Sequence, residues 1–109
     1  MKLPKNTIIA EVKITQYLLK FLLEDNKSLF LAQANYTQDN WQQLETDLRE
    51  QILPLEATPT EQTRYGNKYE IRGTLTGPNG TDLPVVTIWM TEFPSQTTKF
   101  ITLYPNKEV

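Results

Sequence analysis

The hydrophobic pattern turns from helical spacing ahead of Pro54 to a period of two after Tyr65-Gly66-Asn67, and that change limits the chain to an α+β layout with helices first and strands second. Before it, apolar residues recur at helical spacing. Ile14, Tyr17, Leu18, Phe21 and Leu22 stand at i, i+3, i+4, i+7 and i+8, and Trp41, Leu44, Leu48 and Ile52 form a second stripe. After it the period is two: Tyr69, Ile71 and Leu75 alternate with Glu70, Arg72 and Thr74. The expected fold is one domain over 1–109, mainly helical in 1–53, its helices packed on one face of an antiparallel meander of three to four strands in 54–109.

Local signals fill in the elements. Thr7 to Val12 is an apolar run that fits a strand or an extended lead-in, and Lys27 to Ala34 reads as a short helix. Thr37 suits an N-cap, with Asp39 in the following turn to complement the helix dipole. Pro54 ends the third helix because its ring and missing N–H cannot continue the ladder. Leu55 to Arg64 fits a short edge strand and a loop, and Tyr65-Gly66-Asn67 a turn. Gly77-Pro78-Asn79-Gly80 is a hairpin signal, since Pro fixes one φ and Asn-Gly tolerates positive φ. Leu83 to Thr91 and Thr98 to Tyr104 are the strands that follow, joined by a turn at Glu92 to Thr97.

Composition removes whole classes of chemistry. The chain has no cysteine and no histidine. Disulfides, thiolate nucleophiles, imidazole acid–base chemistry and zinc sites built on Cys or His are therefore excluded. The net charge of −2 argues against gripping nucleic acid by bulk positive charge. There is no P-loop, no Gly-x-Gly-x-x-Gly and no calcium loop, so neither a cofactor nor a metal is expected. The opening Met1-Lys2-Leu3-Pro4-Lys5-Asn6 lacks a secretion-signal core. The most apolar stretch, Tyr17 to Leu23, is interrupted by Lys20 and too short to span a bilayer. The expectation is a cytoplasmic protein with no membrane partner.

Strand phase suggests two unlike sheet faces. Ile71, Val86, Ile88, Met90, Ile101 and Leu103 are aliphatic and are expected to face the helices. Arg72, Thr74, Thr87, Trp89, Phe100, Thr102 and Tyr104 are then expected on the open face. That face is either an ordinary solvated one or a binding face, on which rings stack on bases and Arg72 meets a phosphate. A histidine-free catalyst would have to draw on Lys, Arg, Thr and Tyr, and RNA supplies its own 2′-hydroxyl nucleophile.

The strings Lys-Ile-Thr-Gln-Tyr-Leu-Leu at 13–19, Leu-Thr-Gly-Pro-Asn-Gly at 75–80 and Val-Val-Thr-Ile-Trp at 85–89 resemble one family of bacterial domains of unknown function. The close at Lys99-Phe100-Ile101-Thr102-x-Tyr104-Pro105 is similar too. The resemblance covers nearly the whole chain. It implies small cyanobacterial proteins, with related domains in polymorphic toxins and toxin–antitoxin-like loci, and a fold of the barnase/EndoU/colicin/RelE-like type. By that resemblance the activity is a metal-independent ribonuclease of toxin type. The family's recurrent polar positions fall on Lys27, Lys68, Thr87, Thr102 and Tyr104. Together with Arg72, Lys99 and the rings read from the residues, Lys27, Lys99, Arg72, Thr87 and Tyr104 are the catalytic candidates, and Lys68, Trp89, Phe100 and Thr102 would bind substrate. The implied partners are RNA and a cognate small antitoxin-like protein. The residues themselves leave two other functions open: a non-catalytic module that binds protein or nucleic acid through the same face, and a regulatory partner in a small operon.

Overall fold

Among the described residues the helical segments are short, and π turns twice replace the i to i−4 ladder. The structure is a computed structural model and describes residues 1–20 and 27–107. Helix α1, Glu11–Lys13, runs into a π turn at Ile14–Leu18, closed by the Leu19 N–H on the Ile14 carbonyl at 2.9 Å. Phe21 and Leu22, the far members of the first stripe, lie outside the described residues. Helix α2, Lys27–Ala32, gives way to Asn35 at φ +69°, a left-handed position that Asn tolerates. A 3₁₀ turn at Gln38–Asn40 then leads into α3, Trp41–Asp47, where the Asn40 side chain accepts the Thr37 N–H at 2.7 Å. Helix α3 also widens into a π turn, Leu48–Ile52, just before Pro54.

The sheet holds four strands in the order β1-β2-β3-β4: β1 Thr58–Thr63, β2 Gly66–Thr76, β3 Asp82–Glu92 and β4 Thr98–Pro105. All neighbours are antiparallel. The fold class expected from the sequence is the one observed. Its two edges are handled differently. The N-terminal segment covers part of β4, where Ile8 donates to the Thr98 carbonyl at 2.9 Å and accepts from the Phe100 N–H at 2.8 Å. β1 is exposed along most of its length, but it carries Pro59 and Glu61 and shifts register between them. Proline, charge and a bulge are the usual guards of an open edge.

The helices lie on the face of Ile71, Leu75, Leu83, Val85, Trp89, Phe100 and Leu103, which form one buried cluster with Ile14, Leu18, Leu44, Leu48 and Ile52. Gly73 belongs to this face. A Cβ there would collide with the side chains of Ile52 and Leu55, so glycine lets the end of α3 settle on β2. The core from the helical stripe is as expected: Leu18, Leu44 and Leu48 are fully buried, and Tyr17 and Trp41 pack against them.

The expected phase of β3 is reversed. Val86, Ile88 and Met90 face away from the helices, and Thr87 and Trp89 face inward. The register of the hairpin explains why. Leu75 pairs with Leu83, so every odd residue of β3 shares the face of Ile71 and Leu75. In β4 the phase breaks midway. The register shifts opposite Ile88 and Trp89 and leaves Ile101 without a cross-strand partner, so Phe100 and Leu103 both turn inward. Among the described residues, no helix is long and apolar enough to cross a membrane.

Candidate functional site

Thr87, Trp89 and Phe100 belong to the core and cannot meet a ligand on the outer face. Trp89 and Thr87 are fully buried, and Phe100 is 1% exposed. The Trp89 indole N–H donates to Thr87 Oγ1 at 2.7 Å, and that hydroxyl donates to the Ile71 carbonyl at 2.9 Å. The chain of bonds satisfies two side-chain groups that would otherwise be costly to bury. Phe100 meets the Trp89 ring edge-on, with centroids 5.2 Å apart.

The remaining candidates divide among separate places. Arg72 and Tyr104 flank Val86 in one cross-strand row and, with Pro105, Asn106 and Lys107, line a shallow concavity of about 450 Å³. Lys99 pairs with Met90, four residues further along β3, roughly 13 Å away by strand rise. Lys27 is elsewhere again. Its ammonium donates to the Tyr17 hydroxyl at 2.7 Å and lies 4.8 Å from the ring centre. Thr102 donates to the same phenol oxygen at 3.2 Å. Thus Lys27 and Thr102 converge on Tyr17, Arg72 converges with Tyr104, and the five catalytic candidates do not form one cleft.

The outer face has an aliphatic centre and a charged border. Val86, Ile88 and Met90 run along β3, and Val86 is only 2% exposed. Each cation of the flanking strands stands beside a carboxylate. Lys68 Nζ is 3.4 Å from Glu61, Lys99 Nζ is 3.0 Å from Glu92, and Arg72 Nε is 2.8 Å from Glu70 Oε1. The Arg72–Glu70 contact lacks hydrogen-bond alignment at that buried oxygen, so it is a charge pairing and not a directed bond. Among the described residues no cluster of carboxylates has the makings of a metal site.

Sequence reasoning missed one buried polar pair. Tyr36 donates to Asp47 Oδ2 at 2.6 Å, and Gln43 donates to Asp47 Oδ1 at 2.9 Å. Burial first, then the hydrogen bond to Asp47 and its negative charge, hold the Tyr36 phenol far above its ordinary pKa. The legible signal was Asp47 itself, which sits three residues after Leu44 on the apolar face of α3.

A family model described as a domain of unknown function (DUF6883) matches residues 2–107. No curated protein and no solved structure matches the chain.

Proposed function

The chain belongs to the DUF6883 family, and we propose that it is a non-catalytic module that docks a partner protein on the outer face of its sheet. The observation that carries this reading is the pairing of charges around an aliphatic stripe. A surface that recognises phosphates presents uncompensated cations and exposed rings, whereas here Lys68, Arg72 and Lys99 are each matched by a glutamate. Ile88 and Met90 are the accessible part of that stripe, Val86 being buried, and an apolar centre with a polar, mixed-charge rim is the anatomy of a protein interface. Tyr104, exposed at the end of the stripe, adds the kind of ring that anchors such interfaces.

The test is a photocrosslinking residue placed at Ile88 or at Met90, in cells of the source organism. A discrete protein adduct is expected there, and none from the same residue at exposed Gln42. An RNA adduct from the sheet positions, or no adduct at either, contradicts the docking reading.

One observation favours a second reading, the toxin-type ribonuclease. The Tyr17 phenol accepts from both Lys27 and Thr102, an arrangement that can hand a proton to or take one from a reacting hydroxyl. Cleavage of total bacterial RNA in chelator decides it. Activity lost in Lys27→Ala and Tyr17→Phe supports the enzyme. No activity in the wild type, or equal activity in all three proteins, removes it.

A further inference from the structure

A second surface has the opposite charge logic. Between the N-terminal segment and the end of α3 lies a groove of about 590 Å³, within the range of small-molecule sites. Leu3, Leu53 and Pro54 supply its apolar lining, and Lys2, Lys5 and Arg49 stand around it with Glu50 as the one carboxylate. Leu3 and Leu53 are almost wholly buried, so they form a fixed floor. The Lys2 ammonium donates to the Pro54 carbonyl at 2.8 Å and Arg49 Nη1 to the Lys5 carbonyl at 3.1 Å. These neutral acceptors orient two of the cations, and Lys2 also lends its charge, after that of the N-terminus, to holding the Glu56 carboxyl below its ordinary range. Among the described residues none of the three cations is in an ion pair, in contrast with those on the sheet.

We propose that this groove binds a small anionic amphiphile, a monocarboxylate on a short aliphatic tail. Even with Lys2 offset in part by Glu56, Lys5 and Arg49 outnumber Glu50, so the rim favours an anion. Arg49 keeps donors beyond Nη1 for a carboxylate, a geometry its planar fork suits. The lining contains no aromatic ring, which argues against a nucleobase, and its leucine and proline carbon suits a saturated tail. No such site is legible in the sequence, because Lys2, Lys5 and Arg49 are brought together only by the fold.

The experiment is calorimetric titration of the intact protein with acetate, butanoate, hexanoate and octanoate, then with octanol and with inorganic phosphate. Octanoate is expected to bind with a Kd on the order of 0.1–1 mM. Affinity should rise by up to about fourfold for each added methylene. Octanol should bind at least about tenfold more weakly, as should octanoate to the double variant Lys5→Gln, Arg49→Gln, checked for intact folding by circular dichroism. Absence of octanoate binding, no dependence on chain length, equal binding of octanol, or an unaffected double variant each overturns the proposal. Phosphate binding as tight as octanoate also overturns it, because the site would then be an anion patch indifferent to the apolar floor.

Discussion

The two faces of β3 are nearly matched in apolar content and opposite in role. One carries Leu83, Val85, Thr87 and Trp89, and the other carries Pro84, Val86, Ile88 and Met90. Hydropathy alone would assign the Val86–Met90 face to the interior. The Thr87–Trp89 face is buried instead, because Thr87 and Trp89 bond to one another and to Ile71 within the core. A polar group whose partner lies within the core need not mark a surface. A tryptophan N–H and a threonine hydroxyl that satisfy each other are as fit for an interior as isoleucine and methionine.

Substitutions on the two faces should differ widely in cost. Trp89→Ala should cost about 3–5 kcal/mol in a denaturant titration, since it empties a fully buried ring position beside Phe100. Met90→Lys should cost under about 1 kcal/mol, because Met90 is only half-buried on the outer face. Equal losses would mean that the faces are not distinct.

Smaller effects refine the picture. Thr87→Val should cost about 1–3 kcal/mol, because it leaves the Trp89 N–H buried without an acceptor, while Thr87→Ser should recover most of that loss. Tyr36→Phe tests the other buried polar pair through pH. The folded state raises the Tyr36 pKa above its ordinary value of 10.0, so the protonated phenol is favoured on folding. Its stabilisation is full below pH 10 and is lost as pH rises beyond that value. Wild type should therefore lose stability more steeply than Tyr36→Phe above pH 10, and the two stability curves should converge there. Parallel curves would mean that Tyr36 titrates normally.

The helix-then-sheet order, the Pro54 boundary and the core stripe of Leu18, Leu44 and Leu48 were legible because period and proline act locally. So was the Gly77–Gly80 turn, where Gly80 adopts φ +83°. The phase of β3 was legible in principle, since the turn length pairs Leu75 with Leu83 and so assigns the odd residues to the core. Aliphatic character alone pointed the other way. The register shift at Ile101 has no local signal, and it reversed the expected placement of Phe100. The candidate site suffered most, because ion pairs such as Lys99–Glu92, and the meeting of Lys27 and Thr102 on Tyr17, join residues that only tertiary structure brings together.

The docking proposal depends on Thr87 and Trp89 facing the helices and on Val86, Ile88 and Met90 facing away from them. Hydrogen exchange of the Trp89 indole N–H, followed by two-dimensional NMR under native conditions, is the decisive test of that assignment. With its proton bonded to Thr87 and its ring fully buried, exchange should track global unfolding and slow in proportion to the protein's stability. Exchange as fast as that of a free indole would place Trp89 on an open surface and contradict the assignment.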